Sequence, residues 1–122
     1  FEENSFDVVI CNHVLEHVDD SNKVMREFYR VMRPGGWGIF QVPIDNNNPN
    51  TIEDKSVTDP KERERLYWQS DHLRLFGRDY GDRLSKAGFK VTESDYINEL
   101  DPKLVERYAL PKNEKVYFCE KI

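Results

Sequence analysis

The fold of this chain is decided by Phe6-Asp-Val-Val-Ile-Cys-Asn-His-Val-Leu-Glu-His-Val18, together with Arg33-Pro-Gly-Gly-Trp-Gly-Ile-Phe-Gln-Val-Pro43. The run Asp7–Cys11 is apolar and β-branched without polar alternation, which is typical of a parallel strand buried on both faces. Ile39–Val42 has the same character. The two runs therefore predict two buried strands with room for one helix between them.

The segment between these strands has the signals of a helix. Asp19, Asp20 and Ser21 are candidate N-caps. Pro34 cannot continue a helix, and the glycines after it permit a turn. Apolar residues recur at helical spacing at Val24, Met25, Phe28, Val31 and Met32. A strand, a crossover helix and a second strand form a right-handed βαβ unit, so the predicted fold class is α/β.

The remainder of the chain predicts further elements around this unit. Ile44–Pro60 is polar and rich in asparagine, which indicates a loop. The predicted helices are Lys61–Gln69, Arg78–Ala87 with Gly88 as its cap, and Asp101–Tyr108. The predicted strands are Phe89–Ser94 and Lys115–Cys119, the latter antiparallel and near the sheet edge.

These segments, in this order, resemble class I S-adenosylmethionine-dependent methyltransferases. The resemblance rests on the opening strand and helix start, Arg30-Val-Met-Arg-Pro-Gly-Gly, Gln41-Val-Pro, Asp71-His-Leu-Arg-Leu-Phe, Leu84-Ser-Lys-Ala-Gly-Phe-Lys-Val and Lys115-Val-Tyr-Phe-Cys-Glu-Lys. It implies a partial Rossmann-like methyltransferase sheet with flanking helices, made of the family's strands four to seven with the last strand antiparallel. Residues 1–122 are then the C-terminal half of the catalytic domain, and residues 44–60 are a loop at its functional edge.

The resemblance implies S-adenosylmethionine as the cofactor. In that family a Gly-rich turn after strand one and an acidic residue after strand two hold it, at the carboxyl edge of the sheet. No such turn is found here, since Gly36 and Gly38 precede a strand. Because the chain starts at Phe1 in what resembles the loop before strand four, we expect a truncated domain that needs its N-terminal half for activity. The origin of the truncation stays open.

The resemblance also implies which residues meet the cofactor. Cys11, Asn12 and His13 lie at the end of the first strand, where the family binds the methionine end of its cofactor. His13 is the candidate catalytic residue, a general base with a reference pKa near neutrality. Two alternatives stay open: Asn12 as a cap of the strand end, and a transfer that needs only alignment of the reactants.

Four further residues are candidate contacts for the methyl acceptor. They are Pro43, Trp68, His72 and Arg74. Trp68 offers an aromatic wall for a substrate pocket, and His72 with Arg74 offers an anion or substrate contact near its rim. Core packing and helix-start packing are the structural alternatives.

A different chemistry is suggested by His13-Val-Leu-Glu16-His17, which matches the H-x-x-E-H pattern of inverted zinc peptidases. On a helix, His13 and His17 would share one face, with Glu16 as the base. His13 starts directly at a strand end, however, and no third ligand is identifiable beyond the formally available Glu62, Glu64 and Glu93. The predicted set of metal ligands is therefore empty, and zinc hydrolysis is kept as a remote alternative.

Composition excludes several classes of partner. The net charge of −5, with acids and bases interspersed, argues against nucleic-acid binding. No apolar run is long enough for a membrane span. Cys11 and Cys119 lie in predicted strands that, by the resemblance, would not be neighbours in the sheet, so buried free thiols and a cytoplasmic location are expected.

Two functions are consistent with these features. The leading one is methyl transfer from S-adenosylmethionine to an unidentified acceptor such as a small molecule. The alternative is a non-catalytic module that self-associates through the exposed strand Asp7–Cys11, because an apolar strand edge is a template for pairing with another chain.

Overall fold

The computed structural model describes all residues from Phe1 to Ile122. Its elements in chain order are β1 (Phe6–Asn12), α1 (Ser21–Val31), β2 (Met32–Gln41), α2 (Pro60–Tyr67), α3 (Tyr80–Lys86), β3 (Lys90–Ser94), α4 (Tyr96–Glu99), α5 (Pro102–Arg107) and β4 (Val116–Glu120). All predicted helices and strands are present, and the short helix α4 was not predicted.

The four strands form one mixed sheet in the order β1-β2-β4-β3. β1 runs parallel to β2, while β4 is antiparallel to both β2 and β3. The predicted α/β class with an antiparallel final strand is confirmed. The final strand also lies near the sheet edge as expected, because β4 lies between β2 and β3 and β3 is the edge strand.

The helix cap and the glycine turn of the βαβ unit form as predicted. The Asp20 carboxylate accepts a hydrogen bond from the Lys23 backbone N–H at 2.9 Å and caps α1. Gly35 has a φ of +82°, the left-handed conformation that the turn requires. β2 begins earlier than predicted because Gly35 N–H donates to Lys121 O at 2.7 Å and Gly36 O accepts from Lys121 N–H at 3.0 Å. These two bonds pair the turn with the residue that follows Glu120 at the end of β4.

The prediction that the first strand is buried on both faces is wrong. Cys11 is buried and Val9 is half-buried against the core, but Val8 and Ile10 on the opposite face are 40% and 61% exposed. Successive side chains of a strand point to opposite faces. β1 pairs only with β2, so it is an edge strand covered on one face.

The core lies on that covered face. It consists of Cys11, Leu15, Met25, Met32, Phe40, Val42, Phe76, Tyr80, Leu84, Phe89, Tyr117 and Cys119. The Tyr80 hydroxyl donates to Phe40 O at 3.0 Å, and burial raises the pKa of this phenol. Both cysteines are buried free thiols as expected, with burial raising the pKa of Cys119 to about 12. None of the helices has the length and apolar character needed to cross a membrane.

The polar loop between β2 and α2 is tied down along its length. Asp45 N–H donates to Phe76 O at 2.9 Å, and Ile52 exchanges two backbone hydrogen bonds with Leu75 at 2.8 and 2.9 Å. The Thr51 hydroxyl donates to the Asp79 carboxylate at 2.6 Å. Residues 75–79 therefore anchor the loop against the core.

We expect Gly38→Ala to destabilise the sheet, because a Cβ at Gly38 would lie 2.6 Å from Val9 O in the neighbouring strand and 2.6 Å from Phe40 Cζ. The expected loss in the free energy of unfolding is about 1–3 kcal/mol, measured by urea denaturation. Gly81→Ala is the matched control. Its Cβ meets only the flexible end of Glu93 and it lies in α3, where alanine is favoured by up to about 1 kcal/mol. Equal losses in the two variants would contradict this assignment.

Candidate functional site

The carboxyl end of β1 displays two polar side chains. Asn12 is exposed and pairs with Gln41, and His13 extends the ladder by donating its N–H to Gln41 O at 2.8 Å. His13 then adopts a φ of +54°, which is uncommon outside glycine and turns the chain away from the sheet. Its side chain is 59% exposed. Asn12 and His13 are therefore accessible at the parallel edge of the sheet.

The residues after His13 form a turn, which corrects the premise of the H-x-x-E-H hypothesis. His17 N–H donates to Val14 O at 3.0 Å, and α1 begins only at Ser21. His13 and His17 therefore do not share a helix face. The fold instead places His17 beside a histidine that is distant in sequence.

Glu16, His17 and His72 form a compact group, which we term the Glu16 cluster. Glu16 is 2% exposed, and its Oε1 lies 3.6 Å from both His13 Nδ1 and His17 Nε2. The rings of His17 and His72 meet edge to face with centroids 4.7 Å apart. Neither carboxylate oxygen of Glu16 has a hydrogen-bond partner in the chain. A buried carboxyl group without a hydrogen-bond partner thus lies among imidazole rings.

Arg74 holds the loop that carries this cluster. Its fully buried guanidinium donates to Leu15 O at 2.6 Å, to Asp19 O at 2.9 Å and to the Glu53 carboxylate at 2.9 Å. In addition, Leu73 N–H donates to Glu16 O at 2.8 Å. The segment around Arg74 therefore fixes residues 15–19 relative to the end of β1.

The structure brings together only some of the predicted site residues. His72 and Arg74 meet the loop after β1, close to the Cys11–His13 end of the strand. The thiol of Cys11 points into the core, and burial, followed by the charge of Glu16, raises its pKa to about 11. A neutral thiol of this kind is not a nucleophile at neutral pH.

Pro43 and Trp68 are the other two predicted contacts, and Trp68 directly follows Tyr67, whose carbonyl oxygen lies 2.8 Å from His72 Nδ1. Pro43 follows β2 and lines a surface pocket of about 300 Å³ with residues 111–115. Trp68 is 51% exposed and has a φ of +75° at the end of α2. No hydrogen bond joins either side chain to the loop after β1.

The sequence did not predict that Glu16 is buried. It also did not predict the clamp, by which we mean the hydrogen bonds of Arg74 to Leu15 O, Asp19 O and the Glu53 carboxylate. The one local signal is the placement of Arg74 between Leu73 and Leu75 in an apolar run, which is unusual for a charged side chain without a buried partner. Nothing local in the sequence indicates that His72 lies beside His17.

Comparison with known proteins shows what this chain is similar to. Residues 1–40 match the family model described as a methyltransferase domain. Together with the fold, this match confirms the resemblance of the chain to class I S-adenosylmethionine-dependent methyltransferases. The architecture is that of an α/β methyltransferase with a four-stranded mixed sheet.

Particular relatives cover different parts of the chain. The ubiquinone biosynthesis O-methyltransferase of Bordetella avium is 40% identical over 47 residues, covering 38% of this chain and 19% of that protein. Sterol 24-C-methyltransferase erg6 of Schizosaccharomyces pombe is 29% identical over 116 residues, covering 90% of this chain and 29% of that protein.

A solved structure extends the likeness to the whole chain at the level of the fold. Haemonchus contortus phosphoethanolamine N-methyltransferase 2, in complex with S-adenosyl-L-methionine, superposes with a TM-score of 0.55 at 18% identity. The match covers 99% of this chain and 34% of that one. The chain thus spans about a fifth to a third of the length of these three proteins.

We expect Arg74→Lys to destabilise the chain by about 1–3 kcal/mol, because an ammonium group cannot keep the forked hydrogen bonds to two carbonyls and a carboxylate. The measurement is urea denaturation. Arg78→Lys is the control, since the Arg78 side chain is exposed and only its backbone N–H is used, so its change should stay within about 0.5 kcal/mol. An unchanged free energy of unfolding in Arg74→Lys would show that these hydrogen bonds are not needed for stability.

Proposed function

We propose that this chain forms one wall of an S-adenosylmethionine site and contributes to methyl transfer. The observation that carries the proposal is the exposure of Asn12 and His13 at the carboxyl end of β1, a strand parallel to β2. Ligands of open α/β sheets bind at the carboxyl ends of parallel strands. In this proposal the backbone of Cys11 and the side chains of Asn12 and His13 contact the methionine end of the cofactor.

The chemistry assigned to the chain is modest. When bound, the cofactor supplies an electrophilic methyl group on a sulfonium. His13 is placed to accept a proton from an acceptor hydroxyl or amine, because its ring is 59% exposed at the carboxyl end of β1. The remainder of the rate enhancement comes from alignment of the two reactants.

The acceptor side is proposed to include Pro43, Trp68 and His72. Pro43 lines a pocket beside the end of β2, and Trp68 offers an exposed aromatic face. Arg74 acts in this proposal as a positioning residue, since its guanidinium is occupied by the chain. The three relatives described above are named as O-, C- and N-methyltransferases, so the acceptor is proposed only as an unidentified small molecule.

The chain is proposed to correspond to one part of the family's domain. In this proposal β1, β2, β3 and β4 are the family's strands four, five, six and seven, and residues 44–60 lie at the functional edge. The glycines in residues 1–122 form no cofactor-binding turn after a strand, so the second wall of the site must come from residues outside these. Two buried free thiols favour a reducing, cytoplasmic setting.

Nuclear magnetic resonance tests the cofactor proposal, because it detects even weak binding. Adding S-adenosylmethionine or S-adenosylhomocysteine should shift the backbone amides of residues 11–17 in a saturable way. Asn12→Ala and His13→Ala should weaken this binding several-fold by removing contacts. Asn98→Ala, an exposed residue of α4, is the matched control and should bind as the parent does.

Two outcomes would count against the cofactor site. Absence of any saturable shift at millimolar ligand would contradict the proposal that this chain forms one wall of the cofactor site. Shifts confined to the charged surface pocket around Arg26 and Arg83 would move the ligand to another place.

Self-association is a second candidate function, favoured by the apolar edge of the sheet. Ile10 and Val8 are exposed on β1, and a groove of about 430 Å³ beside them is lined mainly by apolar residues that include Phe1, Phe6 and Phe28. The edge of β1 opposite β2 has unpaired backbone groups, which can pair with a second copy. We propose that the chain dimerises through β1.

Sedimentation velocity over a wide concentration range checks this proposal. The parent chain should show a concentration-dependent dimer, and Ile10→Lys should shift it to monomer because a charge on the strand disfavours edge pairing. Leu104→Lys makes the same chemical change at a 40% exposed position of α5 and should leave the dimer unchanged. A strictly monomeric parent, or an equal effect of both variants, argues against the interface.

A further inference from the structure

We propose that the Glu16 cluster is a divalent transition-metal site, with Glu16, His17 and His72 as ligands and Zn²⁺ as the ion that suits them best. The proposal does not depend on cofactor binding at Asn12 and His13. It assigns a metal-binding role to three side chains, of which Glu16 and His72 are buried and His17 is partly exposed.

The donor set suits such an ion, and the separation of Glu16 and His17 matches its geometry. One ligand atom from each of the three side chains lies within 4.8 Å of the others. The Glu16 Oε1 to His17 Nε2 distance is 3.6 Å. Two ligands at about 2.0–2.2 Å from a tetrahedral zinc are separated by roughly 3.3–3.6 Å. Two imidazoles and one carboxylate make a known type of zinc site that keeps a fourth position open for water.

The state of Glu16 is an independent indication of a cation. Both of its carboxylate oxygens are buried and neither has a hydrogen-bond partner in the chain. Burial of an uncompensated carboxylate is costly, and buried charges are normally paired or coordinate metals. The flanking histidine nitrogens approach Oε1 only to 3.6 Å, which is too long for a hydrogen bond. A metal ion between Glu16 and the rings would satisfy the carboxylate.

The surroundings of the two histidines also suit metal binding. His72 Nδ1 lies 2.8 Å from Tyr67 O, and a carbonyl oxygen only accepts, so Nδ1 carries the proton. The lone pair of a neutral His72 is therefore on Nε2. His17 Nδ1 lies 3.3 Å from Asp71 O and 3.5 Å from its carboxylate, which leaves Nε2 on the side of Glu16. Outer contacts of this kind fix the ring orientation of metal-binding histidines.

This site differs from the one suggested by the H-x-x-E-H pattern. In that pattern His13 and His17 are the ligands and Glu16 is a base. In the folded chain Glu16 is itself a ligand, and His72 replaces His13, whose side chain is mostly exposed. His17 is 34% exposed, so an ion can enter the site from solvent.

Titration calorimetry with ZnCl₂ on metal-free protein tests the site. We expect one Zn²⁺ per chain, and an increase in the temperature of unfolding on adding it. Co²⁺ should give the intense visible absorption of tetrahedral coordination. Glu16→Gln preserves the side-chain volume and should weaken binding by about tenfold or more. His72→Gln should do the same.

Two matched controls establish that the ion binds at the Glu16 cluster and not elsewhere on the chain. Glu62→Gln makes the same chemical change on the exposed face of α2, and should leave the affinity for Zn²⁺ unchanged. His13→Gln removes the histidine that only the sequence pattern requires, and should also retain binding. Circular dichroism establishes that each variant is folded. Should His72→Gln fail to fold, Glu16→Gln and the Co²⁺ spectrum still decide the question.

Three results would overturn the proposal. One is the lack of stoichiometric Zn²⁺ binding by the parent chain. Another is an unchanged affinity in Glu16→Gln. The last is loss of binding in His13→Gln together with retention in His72→Gln, which would return the site to the sequence pattern.

Discussion

The buried guanidinium of Arg74 is the constraint on which the loop at the carboxyl end of β1 depends. A buried positive charge is costly unless it is paired and hydrogen-bonded. Leu15 O, Asp19 O and the Glu53 carboxylate accept from the two terminal nitrogens of Arg74, while its Nε has no hydrogen-bond partner in the chain. The chain between His13 and Asp20 has no regular secondary structure to satisfy its carbonyls, so Arg74 does so from a position 59 residues beyond Leu15. The loop after β1 is thereby held in one conformation.

The sequence predicts the βαβ unit well because its signals are local. Asp20 caps a helix that begins one residue later, and Gly35 takes the positive φ that its turn requires. The faces of β1 could not be predicted in this way, since an apolar run does not reveal whether anything covers each face. Val8 and Ile10 are as apolar as Val9, yet only Val9 packs against the core. The two strands that flank β4 could not be predicted either, because strand order depends on pairing between residues distant in sequence.

The same distinction applies to the site. Asn12 and His13 follow a predicted strand, so topology alone places them at the carboxyl edge, and the structure shows them exposed there. His72 and Arg74 are candidates by residue type. Residue type indicates a polar contact, but not whether the side chain points to a ligand or into the protein. The fold turns Arg74 inward to the carbonyls of the loop and brings His72 against His17. A contact between residues so far apart in sequence has no local signature.

The edge after β1 therefore combines two environments within a few residues. Asn12 and His13 are exposed and suited to an organic ligand, whereas Glu16 is buried and suited to a cation. The effect of Glu16 reaches the core, where its charge, after burial itself, contributes to raising the pKa of the Cys11 thiol. A cation held by Glu16 would oppose that contribution, because it neutralises the carboxylate that disfavours the thiolate. In this way the proposed metal site would also influence the protonation of a core thiol, although burial remains the larger cause of its raised pKa.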